Sequence, residues 1–381
     1  MRPPSLMESP PGAETTIDGR RYVYFGGTGY LGLAGHPEVI EAACAAARRY
    51  GVHTATSRNG FGSSPPLVEV EREAAAFFDT ETAFHYASGF TGNHILLQAV
   101  AGTDRSTRVC LERTVHFSAR EAARLVAAEV IEFQPGDPGS LADAIRRKAR
   151  PAQPVFVMTD GVSPVTGAVA PLRDYLAICQ EHPEARLVVD DAHGFGVLGD
   201  EGRGTVEWWG LWAEGVNGAG SPDRERLLLC GTLSKALGGF GGLIPASTRF
   251  LDRLRRNTHY YEGASAPAAP IAAAAARALA IVRARPELRR RLAANVLRLR
   301  RGLRALGLPV PEGPAANLGL AIGSREAMIR LHAALKTQGF LVPHLEAYPG
   351  AGPEGVLRFA VCATHSDAMI DALLAALRRL L

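Results

Sequence analysis

Between residues 82 and 230 the chain alternates short apolar runs with stretches in which apolar positions return every three or four residues. The runs are Thr82 to Ala87, Arg108 to Leu111, Pro154 to Thr159, Arg186 to Asp190 and Arg226 to Cys230. Helical patterns at Ile95 to Val100, Ser118 to Ala123 and Leu172 to Glu181 fall between them. A strand that is apolar at nearly every position is buried on both faces, and this points to a mostly parallel sheet covered by helices. After Pro267 the rhythm changes. A helical stretch from Ala268 to Leu306, punctuated by Pro286, precedes a βαββα pattern: Leu318 to Ile322, Glu326 to Gln338, Phe340 to Leu345, Gly355 to Cys362 and Ser366 to Leu380. Met369, Ile370, Leu373, Leu374, Leu377 and Leu380 recur at helical spacing and mark an amphipathic closing helix. The expected fold class is therefore α/β. Its parts are an N-terminal segment (1–50), a larger domain around the parallel sheet (51–266) and a smaller C-terminal α+β domain (267–381).

Composition narrows this picture in four ways. At 381 residues, 47% hydrophobic and 21% charged, the chain is of ordinary globular type and long enough for two or three lobes. A net charge of +4, with arginines dispersed among acids, argues against a nucleic-acid-binding stripe. The most apolar window, Ala266 to Val282, is mostly alanine and is broken by Pro267, Pro270 and Arg277, so no membrane span is expected, and Met1 to Thr16 shows no apolar core of a signal peptide. Cys44, Cys110, Cys179, Cys230 and Cys362 are widely spaced, without CxxC. They read as buried thiols of a cytoplasmic protein rather than as disulfides or a zinc site.

Lysine usage then draws the eye, since only three of the 42 basic residues are lysine. Arginine cannot be deprotonated or form an imine, so a retained lysine hints at a needed amine. Lys148, in a basic run, and Lys336, on a polar helix face, read as solvated charges. Lys235 instead follows the apolar Leu227-Leu228-Leu229-Cys230 and precedes Gly238-Gly239-Phe240-Gly241-Gly242, which suits close approach of backbone to a ligand. A lysine snorkelling from a strand end is the plain alternative.

Three further features lie just past apolar runs, where a parallel sheet binds ligands. Asp190-Asp191-Ala192-His193-Gly194-Phe195-Gly196 holds carboxylates at a strand end, a costly place unless they are paired; a capping turn would explain one aspartate but not the whole motif. Ser88-Gly89-Phe90-Thr91-Gly92-Asn93 opens a helix and suits an anion cradle, or an ordinary loop. His116 sits in Arg113-Thr114-Val115-His116-Phe117-Ser118. A carboxylate for a pyridine nitrogen, a cradle for a phosphate, an amine for an aldehyde and an aromatic cover together meet the needs of pyridoxal phosphate.

At these residues the chain resembles the fold-type I pyridoxal-phosphate enzymes, and most of all the α-oxoamine synthase family. Asp190 to Gly196, Thr232-Leu233-Ser234-Lys235, Tyr30-Leu31-Gly32-Leu33, Ser88-Gly89-Phe90, His116, and Leu357-Arg358 with His365 carry the resemblance from about Tyr24 to Ala372. It implies that Lys235 holds the cofactor, Asp190 pairs with its ring nitrogen, His193 contacts its hydroxyl and His116 stacks on it. Ser88, Gly89, Phe90 and Thr232 would hold its phosphate, Ser265 of a second subunit in a homodimer would complete that cradle, and Arg358 would bind the amino-acid carboxylate. The implied reaction joins an α-amino acid to an acyl thioester, on CoA or a carrier protein, with decarboxylation to an α-amino ketone. An aminotransferase or decarboxylase using the same lysine and aspartate stays open, because Arg358 suits any α-amino acid.

Three positions depart from the family pattern. Gly29 replaces an asparagine, removing a polar group and widening the substrate side. Pro164 replaces a serine that contacts the cofactor hydroxyl, with Ser163 next to it, and Leu67 stands where many members have histidine. A competing motif, Gly27-Thr28-Gly29-Tyr30-Leu31-Gly32, fits the dinucleotide fingerprint GxGxxG after Tyr22 to Phe25. It lacks both a helix starting on it and an acidic residue about 20 positions on.

Overall fold

The computed structural model describes residues 4–102, 104, 106–147, 153–219 and 225–381; Lys148 falls outside them. Seven strands form the central sheet: β3 (Thr82–Tyr86), β4 (Arg108–Glu112), β5 (Glu129–Phe133), β6 (Val155–Asp160), β7 (Ala185–Asp190), β8 (Leu227–Thr232) and β9 (Gly242–Ala246). Two more, β1 (Glu14–Ile17) and β2 (Arg20–Tyr24), precede them, and β10 (Asn317–Leu320), β11 (Phe340–Leu341), β12 (His344–Leu345) and β13 (Val356–Ala360) follow. The order across the large sheet is β3-β9-β8-β7-β6-β4-β5. β8, β7, β6, β4 and β5 pair in parallel, and only β9 runs against its neighbours.

Both faces of this sheet are buried, as the apolar runs require, and the two-residue period of a strand divides them. On β7, Leu187 and Val189 pack into one core with Leu227 and Leu229, while Val188 packs into the other with Leu228 and Cys230. The second core also takes Ile95, Leu96 and Leu97 from the helix Gly92–Ala101.

The long helical stretch is two helices, Ala269–Ala284 and Glu287–Ala305, parted at Arg285 and Pro286. The expected βαββα region holds with one correction. Phe340 to Leu345 is not one strand, because Pro343 cannot donate to a ladder and the run breaks there. β11 joins β2 in parallel, drawing the N-terminal hairpin into a sheet with the C-terminal region, while β12 pairs with β13. No helix begins on Gly27 to Gly32; the next one starts at Pro37, so the dinucleotide motif lacks its phosphate-binding helix. Cys110, Cys179, Cys230 and Cys362 are buried free thiols, whereas Cys44 is half-buried. Lys336 is also less solvated than its helix face suggests, since its ammonium sits 5.9 Å from the centre of the Tyr22 ring. Among the described residues, no helix is long and apolar enough to cross a membrane.

Candidate active site

The carboxyl ends of β6, β7 and β8 open into a cavity of about 260 Å³, which Asp160, Asp190, Thr232 and Lys235 line from the sheet side. Asp190 follows Val188 by two residues, so it points to the same face as Val188 and meets the first turn of the helix Gly92–Ala101. There Asn93 Nδ2 donates to Asp190 Oδ2 at 2.7 Å, and the amide of Ala192 donates to Oδ1 at 3.1 Å. Asp160 is opposite Asp190 on β6. Burial and the neighbouring Asp190 charge push the Asp160 carboxyl well above the usual range, and its Oδ2 accepts the amide of His116 at 2.8 Å. That amide begins the helix Phe117–Val126, which His116 caps through Nδ1, accepting from the amide of Ser118 at 3.1 Å. The imidazole is thereby fixed on the cavity wall. Burial lowers its pKa, which favours the neutral ring.

Lys235 enters from the loop after β8. Among the described residues its amine has no hydrogen-bond or ion-pair partner, and burial lowers its pKa, partly opposed by the charges of Asp190 and Asp160. The loop is tied together behind it: Thr232 Oγ1 donates to Gly241 O at 2.8 Å and accepts the amide of Ser234 at 3.1 Å. The glycine-rich stretch serves packing more than ligand approach. A Cβ at Gly239 would stand 2.9 Å from Ala275 Cα, one at Gly238 would strike Leu33, and of the five residues only Phe240 lines the cavity.

Ser88, Gly89 and Phe90 also line the cavity, where the chain leaves β3 and enters the short helical turn Gly89–Thr91. A Cβ at Gly89 would lie 2.8 Å from Thr232 Oγ1, so only glycine lets these two loops meet. His193 lines the cavity as well; its Nδ1 lies 2.7 Å from the Tyr30 hydroxyl, and burial holds its pKa well below the usual range.

Two expectations turn out differently. Arg358 does not line the cavity. Its guanidinium donates to Pro164 O at 2.7 Å, Gly26 O at 3.3 Å and the Tyr30 hydroxyl at 3.3 Å, one side chain back from the wall. Gly29 borders a small neighbouring crevice instead of the cavity, and a Cβ there would meet nothing within 4 Å. Ser163, next to Pro164, lines a second cavity, and its hydroxyl accepts the Thr166 amide at 3.2 Å. Leu67 is wholly buried in the core, and His365 stacks on Phe25 at 4.3 Å away from the site. Ser265 is exposed, bridged to Ser57 outside the cavity. Sequence reading passed over Asn93, Asp160, Ser118 and the Tyr30 hydroxyl as site groups. Asn93 and Tyr30 both lie inside the quoted motifs, but their partners are 97 and 163 residues away.

A lysine, an aspartate and a histidine gathered at the carboxyl end of a seven-stranded, mostly parallel sheet define a fold-type I arrangement. The model for the family described as aminotransferase class I and II matches residues 22–377, and the chain belongs to that family. Within it the chain is similar to 8-amino-7-oxononanoate synthases. It is 36% identical to that of Methylococcus capsulatus, covering 98% of this chain and 92% of the relative, and 34% identical to that of Nitrosococcus oceani, covering 99% and 96%. The serine palmitoyltransferase of Sphingomonas wittichii is 26% identical with a TM-score of 0.88, covering 99% of this chain and 91% of that one. A serine palmitoyltransferase solved with PLP as an internal aldimine gives 26% and 0.88, over 99% and 92%.

Proposed function

We propose that this protein is a pyridoxal-phosphate-dependent acyltransferase of the α-oxoamine synthase kind, condensing an α-amino acid with an acyl thioester to give an α-amino ketone. One observation carries the reading. Lys235 brings an amine with a lowered pKa, without a hydrogen-bond or ion-pair partner among the described residues, into the same 260 Å³ cavity as Asp190, lined also by Gly89, where a Cβ would lie 2.8 Å from Thr232 Oγ1. These residues fit the cofactor. Asp190 is held by two N–H donors and suited to a ring N–H, and Ser88, Gly89, Phe90 and Thr232 line the same cavity, where they would hold the phosphate. Bound there, pyridoxal phosphate supplies the electron sink for a carbanion at the amino-acid Cα.

The chain's own residues do the rest. Lys235 Nζ, its charge disfavoured by burial, takes the Cα proton and can return it. His116, held in place by capping the helix Phe117–Val126, lines the cavity and would cover one face of the ring and keep water from it. Arg358 has N–H groups left after its three bonds, and turning toward the cavity lets it grip a carboxylate through its planar fork. The exposed Ser265 is offered to the phosphate of a second subunit, in a cytoplasmic homodimer with a large domain over 51–266 and a small one over 267–381. Decarboxylation after condensation completes the reading.

The test is direct. Borohydride treatment of protein loaded with excess pyridoxal phosphate should leave a cofactor mass on the Lys235 peptide, absent in Lys235→Ala. Thiol should be released from an acyl thioester only when an amino acid is present. Amination of an oxo acid without thioester consumption would make the protein an aminotransferase instead.

A further inference from the structure

Three buried side chains from distant parts of the chain meet behind the cavity wall. Arg358 Nη2 donates to the Tyr30 hydroxyl at 3.3 Å, and that hydroxyl lies 2.7 Å from His193 Nδ1. A guanidinium carries donors only, so it cannot take the phenol's proton. Tyr30 is 1% exposed, and among the described residues His193 Nδ1 is the acceptor its O–H finds. The direction of the bond is thus set: the phenol donates to Nδ1. Burial pushes the Tyr30 phenol up and the His193 imidazole well down, so the first keeps its proton and the second is neutral. A neutral imidazole whose Nδ1 accepts carries its hydrogen on Nε2.

We infer that Tyr30 is a positioning residue that fixes His193 in its Nε2–H tautomer and so presents a hydrogen-bond donor to the cavity. This rests on the reading that the cavity holds pyridoxal phosphate, whose ring oxygen is the acceptor such a donor would meet. The neighbouring wall makes the tautomer matter in this chain. Pro164 has no donor there, and its carbonyl already accepts from Arg358 Nε at 2.7 Å and Asn317 Nδ2 at 3.2 Å. The Ser163 hydroxyl, which accepts the Thr166 amide, lines the other cavity and not this one. The donor role at that edge therefore falls to His193.

The experiment reads the tautomer itself, on full-length protein freed of cofactor, by nitrogen-15 NMR of histidine-labelled samples with the His193 signals assigned by their loss in His193→Gln. The wild type should show a pyrrole-type Nε2 and a pyridine-type Nδ1 across neutral pH. Tyr30→Phe should lose that fixed pattern, moving both nitrogens toward averaged positions, and should shift the absorption band of added pyridoxal phosphate. A wild-type His193 protonated on Nδ1 overturns the inference without the Tyr30 variant having to fold, and a Tyr30→Phe spectrum unchanged at His193 overturns it as well. Because the NMR sample holds no cofactor, failure here is separate from failure of the cofactor reading, which the Lys235 peptide mass decides.

Discussion

Asp190 and Asp191 are chemically identical neighbours at the end of β7, yet the strand sends them to opposite faces and to different work. Asp190 turns toward the cavity, where Asn93 and the Ala192 amide hold it. Asp191 turns into the protein, is fully buried, and accepts the amide of Thr205 at 2.6 Å. A Cβ at Gly161, Gly194 or Gly204 would collide with the Asp191 carboxyl, so the turn after β7 is built around it. One carboxylate is placed for a ligand and the other for the loop that carries the ligand's neighbours. Residue type alone does not separate them; the two-residue period of the strand does.

The largest effect should come from the cavity side. Asp190→Asn keeps the shape and removes the charge, and loss of one preorganised electrostatic group costs about 10²–10³-fold in rate. Exchange of the amino-acid Cα proton in deuterated water should fall by that order, with the thermal midpoint little changed. Exchange at the wild-type rate would remove Asp190 from the mechanism.

The buried side should respond in stability and in pH dependence. Burial lifts the Asp191 carboxyl from 3.8 to about 7, so the folded protein retains a proton that the unfolded chain releases near pH 4. Folded stability attributable to this group is therefore full below about pH 4 and is lost as pH rises toward 7, by roughly 4 kcal/mol at most. Asp191→Asn cannot ionise and keeps an acceptor for Thr205, so its stability relative to wild type should improve steadily between pH 4 and 7. Asp191→Ala leaves the Thr205 amide unpaired and should lose about 1–3 kcal/mol at low pH. Urea titrations of the three proteins at several pH values would show this. Parallel curves for wild type and Asp191→Asn would mean that Asp191 is ionised throughout.

The contrast also marks what sequence reading reached. The parallel strands were legible because they are apolar at nearly every position, and the strand ends then located Asp190, His116 and Lys235. β5 was passed over: it is an edge strand, Glu129-Val130-Ile131-Glu132-Phe133, half-exposed and flanked by charge. β9 was passed over as well: its first residue, Gly242, belongs to the glycine-rich stretch, and Pro245 is unusual in a strand between two others. In the site, spacing gave the loops but not the pairings across them. Nothing in the string joins Tyr30 to His193 or sets Arg358 behind Tyr30, because those contacts exist only once β2, β7 and β13 have been brought together.

The smallest effect should come from Gly29, a position neither in the cavity nor in the core. Its backbone is outside the left-handed region and a Cβ there meets nothing within 4 Å, so Gly29→Asn introduces no strain and should change stability by no more than about 0.5 kcal/mol. The asparagine enters the crevice shared with Tyr24, Tyr30 and His365, next to Thr28 on the cavity wall. From there it can add at most one hydrogen bond to a substrate, worth about 0.5–1.5 kcal/mol, or roughly 2- to 10-fold in kcat/KM. The measurement is a comparison of kcat/KM across a panel of amino acids and acyl thioesters for Gly29→Asn and wild type. A redistribution within 10-fold leaves the cavity floor as the main seat of recognition. A switch of 10²-fold or more between partners would show that substrate reaches into the crevice, and that the glycine, not the strand ends, decides which partner is taken.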